Sequence, residues 1–232
     1  MPAIVAECPL CGADTDRCRI VTHQIPIVVC DCGMAYQQLY MTPEENKKFY
    51  RTKYRATVPP YKKDMTEENL TQEIKRGNKN VRIINTFGIR PKRHLDIGSS
   101  SGTFLNMMNE IYGCASLGVE PYDKFREYSF SNGVTVVADI SKVKGKFDLI
   151  TMVHVLEHLV KPMEMLSGIH DLLEDDGYFF LEVPHFMLCT SHPLLFLPEV
   201  LKKMITKANF KIQGMGKGNI RGDIWAMATH SN

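Results

Sequence analysis

The stretch that decides the fold runs from His94 to Leu105 and reads HLDIGSSSGTFL. A short apolar run that carries Asp96 ends in a turn of small residues, and an amphipathic segment follows. This order predicts a buried strand, a loop whose backbone can approach a ligand closely, and a helix whose N-terminus faces that ligand. The dinucleotide-binding pattern G-x-G-x-x-G is absent from the stretch, and an acid-x-Gly-x-x-x-Gly pattern takes its place.

The chain from residue 91 to residue 232 is predicted to be a doubly wound α/β domain of seven strands, because short apolar runs alternate with helical stretches. The expected strands are 93–97, 115–119, 134–138, 147–152 and 177–183. The expected helices are 102–112, 122–131, 161–173 and 197–208. The tail segments Phe210–Met215 and Ile224–Thr229 are expected to close the sheet as an antiparallel pair, and residues 214–223 carry no interpretation.

With this order of elements, the motif at residues 96–102 resembles the first motif of the class I S-adenosylmethionine (SAM) methyltransferases. The resemblance extends over about residues 90–215 and implies the Rossmann-like seven-stranded sheet of that family. The loop residues that it assigns to SAM are Gly98, Ser99, Ser100 and Gly102. Many relatives have a glycine where this chain has Ser100. We therefore expect a negative φ at Ser100, with its hydroxyl able to donate a hydrogen bond to SAM.

Three acids follow successive predicted strands, and parallel sheets bind ligands at those strand ends. The resemblance assigns Asp96 to the first motif, Glu120 to the ribose hydroxyls of SAM, and Asp139 to the adenine amino group. It also places Pro121 at the end of the second strand and Ile140 near the adenine ring. Glu120 indicates a ribose more firmly than it indicates SAM, because an NAD site also uses an acid there. Each acid alone could be a solvated loop residue or a helix cap, but the set favours a cofactor site.

Residues 147–159 read FDLITMVHVLEHL and allow two interpretations. The H-x-x-E-H pattern of His154, Glu157 and His158 formally matches the inverted zinc peptidases, which need both histidines on one face of a long helix. The pattern directly follows a predicted strand, and Pro162 comes too early for a long helix. The peptidase interpretation is therefore disfavoured.

The same segment resembles the strand-four region of small-molecule methyltransferases, including those acting on ubiquinone precursors and deoxysugars. With that resemblance, His154 and Glu157 are expected to form loop structure around the methionine end of SAM, and Val153 and His154 are predicted to be cofactor-binding residues. His158 is the candidate to face the acceptor, with helix capping as the alternative. His185 and His192 lie where family members build the substrate pocket, as acid/base or structural residues. Histidine suits a general base because its pKa is near neutrality.

Two cysteine pairs, C-x-x-C and C-x-C, each followed by glycine, lie in the first forty residues. Such a pair is typical of a zinc knuckle, whose turn points both sulfurs at one ion. About thirty residues cannot build a useful core, so structural zinc would supply folding energy on the order of 10–16 kcal/mol. We expect a zinc ribbon over residues 1–40, with reduced and unliganded cysteines as the alternative. The predicted ligands are Cys8, Cys11, Cys30 and Cys32, with Cys18 and His23 as spares.

Residues 41–90 are expected to form a helical linker or lid. Basic and aromatic residues alternate over 43–61, a pattern that can bind nucleic acid. Acidic neighbours and the nearly neutral chain favour a solvated helix with a tyrosine face instead. Pro59-Pro60 interrupts the segment, and a second helix is expected after Thr66, ending at Phe87.

The composition argues against several classes of protein. A formal net charge of +2, with 23% charged and 44% hydrophobic residues, is ordinary for a soluble globular protein and gives no field that favours nucleic acid or a membrane. No apolar run approaches the roughly 18 residues of a membrane span. The odd count of seven cysteines argues against a disulfide framework. No secretory signal is visible, so we expect a cytoplasmic protein, either a monomer or a homodimer.

The combined expectation is an enzyme that transfers a methyl group from SAM to a small molecule. The zinc module followed by F-Y-x-x-x-Y at residues 49–54 is similar to the N-termini of sugar methyltransferases. This similarity implies a sugar, a sugar nucleotide or a glycan precursor as the acceptor. The alternative is a zinc-binding scaffold or nucleic-acid-associated module that has the SAM fold and no catalysis.

Overall fold

The computed structural model describes residues 3–21, 25–54, 66–187, 189–218 and 222–231. His23 and Pro59-Pro60, singled out above, lie outside these residues. The chain divides into two compact units. The first unit comprises Met1–Asn46, Met152–Asp171 and Tyr178–Asn232, and the second comprises Lys47–Thr151 and Leu172–Gly177. The domain boundaries near residues 40 and 90 stay a prediction.

The described elements are short strands at the N-terminus followed by alternating strands and helices. The strands are β1 (Ala3–Ile4), β2 (Arg19–Val21), β3 (Ile27–Val29), β4 (Ala35–Gln37), β5 (Leu39–Tyr40), β6 (Arg93–Ile97), β7 (Ala115–Val119), β8 (Thr135–Val137), β9 (Phe147–Val153), β10 (Leu173–Val183), β11 (Leu194–Leu195), β12 (Phe210–Lys217) and β13 (Ile224–His230). The helices are α1 (Pro43–Thr52), α2 (Glu67–Thr86), α3 (Thr103–Tyr112), α4 (Asp123–Ser131), α5 (Pro162–Leu172) and α6 (Pro198–Lys207). None of the described helices is long and apolar enough to cross a bilayer.

A seven-stranded mixed sheet has the order β12-β13-β10-β9-β6-β7-β8. Strands β6, β7 and β8 are parallel neighbours, whereas β13 pairs antiparallel with both β10 and β12. The sheet confirms the predicted Rossmann-like fold and its antiparallel ending. The part of residues 214–223 that is described extends β12 and precedes β13, and residues 219–221 lie outside the description.

Strand β10 begins earlier than the sequence predicts. The segment Asp175-Asp176-Gly177 is expected to be a turn, but β10 already starts at Leu173, directly after α5. Gly177 is absent from the residues with positive φ, so the chain stays extended there. Leu173 and Gly177 are buried while Asp175 and Asp176 are exposed, so the strand keeps both aspartates in solvent.

The N-terminal segment shares a sheet with a distant part of the chain. Strands β2, β3 and β4 are antiparallel, and β11 pairs with β4, giving the order β11-β4-β3-β2. Ile27, Ala35 and Leu195 form its small buried cluster. The Gln37 amide donates hydrogen bonds to the carbonyls of Cys189 and His192, at 2.8 and 2.9 Å. The ribbon is therefore completed by residues that lie more than 150 positions away.

In the second unit, α2 precedes the strands and packs closely on α3. The helix begins after Thr66, whose hydroxyl accepts a hydrogen bond from the Asn69 amide at 3.2 Å. Gly77 allows the close approach, because a Cβ there would lie 2.7 Å from Met107 Sδ and 3.2 Å from Phe104 Cδ2. The helix position is thus set by contact with the element that follows the Gly98–Gly102 loop.

Candidate active site

The loop from Gly98 to Gly102 turns at two glycines whose φ values are 80° and 78°, a region that glycine enters without strain. Gly118 on β7 lets the loop come close, since a Cβ at Gly118 would collide with the Ser99 side chain. Ser99 is 4% exposed, and its hydroxyl has no hydrogen-bond partner among the described residues. The loop amides of Gly98 and Ser99 donate to the Val119 carbonyl, so the loop is held against β7 and carries one buried hydroxyl without a partner among the described residues.

Ser100 departs from the expectation of a negative φ. Its φ is 51°, a left-handed conformation that costs a non-glycine residue roughly 1–2 kcal/mol. Its amide donates to Glu120 Oε2 at 3.0 Å and its hydroxyl donates to Glu73 Oε1 at 2.7 Å. These two bonds to carboxylates offset the strain, which explains why serine is tolerated here. In this structure the Ser100 hydroxyl donates to Glu73, and its expected bond to SAM stays a prediction.

The three acids singled out in the sequence lie along the carboxyl ends of three neighbouring parallel strands. Asp96 is the penultimate residue of β6, Glu120 follows β7 directly, and Asp139 lies two residues after β8. The Glu120 amide donates to the Val137 carbonyl at 3.0 Å, which ties the end of β7 to that of β8. The edge of the sheet where such folds bind ligands therefore carries all three carboxylates.

A buried chain of hydrogen bonds ends on Asp96. The Thr151 hydroxyl donates to Asp96 Oδ1 at 2.6 Å, and His94 Nε2 lies 2.9 Å from that hydroxyl oxygen. Since the hydroxyl has one proton, His94 Nε2–H is the donor, and His94 Nδ1 accepts from Ser116 Oγ at 3.1 Å. Burial lowers the pKa of His94 to about 3, so the ring is neutral.

The pKa of Asp96 is raised to about 7 by burial, with further increases from the charges of Glu73 and Glu120 and a partial reduction by the Thr151 bond. Burial favours the neutral acid, and negative neighbours disfavour a further charge. Asp96 therefore changes its charge near neutral pH.

Glu120 and Asp139 each accept bonds from nearby backbone. Besides Ser100, Glu120 accepts from the Tyr122 amide at 2.9 Å, so its carboxylate is held in one orientation. Asp139 accepts from the Ser141 amide at 3.0 Å and forms an ion pair with Lys47 at 2.5 Å, and the Lys47 side chain lowers the pKa of Asp139. Pro121 follows Glu120, and Ile140 begins the short 3-10 turn that Asp139 caps.

In the first unit, His154 lies among three carboxylates. It follows Val153, the last residue of β9, with a φ of 55°. Its Nδ1 lies 3.4 Å from Glu157 Oε1, and its Nε2 lies 3.4 Å from Glu182 Oε1 and 3.6 Å from Asp223 Oδ2. Burial opposes the charged form, yet Asp223, Glu157 and Glu182 raise the pKa of His154 well above 6.5. The three carboxylates therefore favour the protonated form of His154.

Two of the three candidate catalytic histidines come together, and both are buried. The rings of His158 and His192 are 4.7 Å apart. His158 Nδ1 donates to the Ser191 carbonyl at 2.8 Å, and His192 Nδ1 donates to the Met187 carbonyl at 3.1 Å. Both Nε2 atoms are therefore left as acceptors when the rings are neutral. His185 is not part of this pair and instead bridges to Phe196 beside β11.

Glu157 completes this cluster with a carboxylate. It is 1% exposed, neither oxygen has a hydrogen-bond partner among the described residues, and Oε1 lies 3.8 Å from His158 Nε2. Burial works to raise the pKa of Glu157, but the charges of His158 and His154 outweigh it and lower the pKa. Glu157 and His158 lie in a short 3-10 turn, Leu156–His158, so the long helix that a peptidase needs is absent here.

The four predicted zinc ligands come together at the knuckles. The sulfurs of Cys8, Cys11, Cys30 and Cys32 all lie within 4.8 Å of one another. The Sγ atoms of Cys8 and Cys32 are 3.6 Å apart, and those of Cys11 and Cys30 are 3.5 Å apart. A zinc tetrahedron with Zn–S bonds of about 2.3 Å has edges of about 3.8 Å, so the cluster can hold zinc. Cys18 is not part of it.

Two further sets could hold a metal ion by the spacing of their ligand atoms alone. They are Glu157, His158 and His192, and His154, Glu182 and Asp223. In both sets a histidine and a carboxylate already face each other, so the spacing equally fits an imidazolium beside a carboxylate.

Several contributing residues lie outside the motifs that the sequence analysis used. Glu73 contacts the loop from α2, and no local signal distinguishes it from other helix acids. His94 and Thr151 support Asp96 from inside the sheet, and a histidine within an apolar strand could have indicated this. Glu182 interrupts the apolar run of β10, which is also a usable signal. Asp223 lies in a segment without any interpretable pattern.

Residues 70–213 match the family described as "Methyltransferase domain". The chain is 25% identical over 141 residues to the ubiquinone biosynthesis O-methyltransferase of Haemophilus ducreyi, covering 54% of this chain and 59% of that protein. It is 27% identical over 128 residues to the enzyme of the same name from Shewanella pealeana, covering 51% and 54%. The chain thus spans little more than half the length of these relatives.

Two solved structures have the same fold. The 1,6-didemethyltoxoflavin-N1-methyltransferase of Burkholderia thailandensis superposes with a TM-score of 0.67 at 18% identity, covering 93% of this chain and 99% of that one. The magnesium protoporphyrin IX methyltransferase of Synechocystis PCC 6803, with bound SAM, gives 0.62 at 16% identity, covering 80% and 97%. The sequence match over more than half of the chain, on this fold, shows that the chain belongs to the methyltransferase-domain family of class I SAM-dependent enzymes.

Proposed function

We propose that this chain binds SAM and transfers its methyl group to a small-molecule acceptor. The observation that carries the proposal is the row of Asp96, Glu120 and Asp139 along the carboxyl ends of three parallel strands, beside a glycine loop at a helix N-terminus. Carboxylates suit the ribose hydroxyls and amino group of SAM, and the Ser99 hydroxyl, which has no hydrogen-bond partner in the part of the chain that is described, offers one more polar contact. Membership of the methyltransferase-domain family supports the same assignment.

Bound SAM supplies a methyl group that is already activated by its positively charged sulfur. The residues of the chain then have to bind and orient the two reactants, a contribution that can reach roughly 7–11 kcal/mol. We assign Glu120 to the ribose and Asp139, with Ile140, to the adenine. Val153 and His154 are assigned to the methionine end.

We propose His192 and His158 as the bases that take the proton from the small molecule that receives the methyl group. The hydrogen bonds to Ser191 and Met187 are made through Nδ1 of His158 and His192 and orient both rings, so Nε2 is the ring atom assigned to take the proton. Cys189 and Glu157 raise the pKa of His192 against the opposing effect of burial. The ionised Glu157, whose Oε1 lies 3.8 Å from His158 Nε2, would stabilise an imidazolium by its charge. His185, which is separate from this pair, is assigned a structural role.

The acceptor is proposed to receive the methyl group on oxygen. The relatives named as ubiquinone biosynthesis O-methyltransferases support an oxygen acceptor, and the similarity of the N-terminal module to sugar methyltransferases supports a sugar or sugar nucleotide. Methyl transfer from radiolabelled SAM should be measured against a panel of phenols and sugar nucleotides. Labelling of phenols alone would contradict the sugar assignment.

We propose that Cys8, Cys11, Cys30 and Cys32 bind one structural zinc ion. Lys203 and Lys207 of α6 donate to the carbonyls of Cys32 and Leu10, at 2.8 and 2.7 Å, and their charges would offset four thiolates around a divalent ion. Elemental analysis should find one zinc per chain. Cys11→Ser should lose it, whereas Cys18→Ser should retain it as the matched control.

Calorimetry with SAM tests the central proposal. Glu120→Ala should weaken SAM binding by about 100-fold, because hydrogen bonds to a charged group are worth roughly 1.5–3 kcal/mol each. Glu127→Ala, which removes an exposed carboxylate from α4, should leave the affinity unchanged. Absence of heat with the zinc-loaded wild type would contradict SAM binding and favour the scaffold alternative.

A further inference from the structure

Glu73 lies on α2, outside every sequence motif, yet both of its carboxylate oxygens contact the Gly98–Gly102 loop. Oε1 accepts a hydrogen bond from Ser100 Oγ at 2.7 Å, and Oε2 accepts a short bond from Ser101 Oγ. A helix that precedes the sheet thus places a negative charge directly on the loop that we assign to SAM.

The position of Glu73 is set by the packing of its helix. Gly77 lies one turn further along α2 and touches Met107 and Phe104 of α3, with no room for a Cβ between them. Because α3 begins directly after the loop, this contact holds α2 over it. Glu73 is therefore fixed beside the loop by backbone packing as well as by its own hydrogen bonds.

Three carboxylates from three different elements meet at this loop. Ser100 donates to Glu73 through its hydroxyl and to Glu120 through its amide, at 2.7 and 3.0 Å. Asp96 lies two residues before the loop, and the charges of Glu73 and Glu120 both contribute to its raised pKa. Like charges gathered in this way repel one another, and a cationic ligand relieves the repulsion.

We propose that Glu73 is a specificity-determining residue that favours the positively charged SAM over its product. This inference rests on the proposed SAM binding. When the methyl group passes from the sulfonium to the acceptor oxygen, the sulfur keeps the bonding electron pair and becomes a neutral thioether in S-adenosylhomocysteine (SAH). The attraction to Glu73 is then lost, which favours release of SAH and its exchange for SAM.

Titration calorimetry with SAM and with SAH on the full chain tests the inference. Glu73→Gln removes the charge but keeps an oxygen that can accept a serine hydrogen bond. We expect SAM affinity to fall about tenfold and SAH affinity to change by less than about twofold, as for the loss of one charge interaction at a partly solvated site. Glu68→Gln, which neutralises an exposed acid on the same helix, should change neither affinity.

A second variant separates charge from loop order. Ser101→Ala keeps the Glu73 charge and removes the hydroxyl that bonds to Glu73 and to Thr103, so any loss should be equal for SAM and SAH. Circular dichroism and a thermal melt establish that each variant is folded. Equal losses of both ligands in Glu73→Gln, or no loss of either, would overturn the inference while leaving SAM binding intact. A wild-type chain that binds neither ligand would overturn the proposed function, and the inference with it.

Discussion

Replacing Asp96 by asparagine should stabilise the fold at alkaline pH. The carboxyl has a pKa of about 7 in the folded protein and 3.8 as its ordinary value. A raised folded pKa means that the folded state holds its proton more tightly, so this contribution to stability is complete below pH 3.8. It is lost as the pH rises through about 7. Asp96 is 5% exposed, so solvent does little to screen the effect.

The size of the effect follows from the two pKa values. Each tenfold difference in proton affinity corresponds to about 1.4 kcal/mol. Compared with pH values below 3.8, where Asp96 is protonated in both states, the raised pKa of Asp96 lowers the unfolding free energy by about 4 kcal/mol at pH 8. The same comparison gives only about 1.6 kcal/mol at pH 5. The asparagine side chain of the variant never ionises, so the unfolding free energy of the variant minus that of the wild type should grow by roughly 2.5 kcal/mol between these pH values. His94 stays neutral over this range and adds no titration of its own.

Urea denaturation followed by far-UV circular dichroism at pH 5, 6, 7 and 8 measures this difference. Asp175→Asn is the matched control, because Asp175 is exposed on β10 and should show a difference that does not change with pH. A difference for Asp96→Asn that stays constant within about 1 kcal/mol from pH 5 to pH 8 would refute the reasoning. The same variant should bind SAM more weakly, since the stabilising change removes a carboxylate of the proposed site.

Three further outcomes follow from the structure. His192→Gln should lower kcat by about 10²–10⁴. The base must be neutral to accept a proton, and the pKa of His192 is raised above 6.5. Wild-type kcat/KM should therefore rise with pH and level off above the pKa of His192. A His185→Gln rate that falls equally would contradict the assignment. Gly77→Ala should lower the unfolding free energy by about 1–2 kcal/mol, since overpacking against Met107 outweighs the helix propensity of alanine, and a more stable variant in urea titration would argue against tight packing. Chelation of zinc should lower the melting temperature in calorimetry, and an unchanged melt after verified metal removal would show that the metal is not structural.

The sequence identified the parts of the site that depend on local patterns. The short apolar run that carries Asp96 is followed by Gly98 and Gly102. This pattern predicts a strand followed by a turn. Glu120 and Asp139 come at or just after the ends of short apolar runs, so their place at strand ends could be predicted without knowing which strands pair. The cysteine pairs are equally local, because each knuckle is a turn of a few residues. These features depend on backbone preferences between near neighbours in the chain.

Tertiary structure decided the features that depend on contacts between distant residues. Ser100 adopts a positive φ because Glu73, which is 27 positions earlier, accepts its hydroxyl hydrogen. His158 lies beside His192 because carbonyls of the segment after β10 hold both rings. The charge state of Asp96 depends on burial inside the sheet and on the carboxylates of Glu73 in α2 and of Glu120 directly after β7. Glu73, His94 and Asp223 lie in no local pattern that shows which residues they contact, since those contacts are selected by packing.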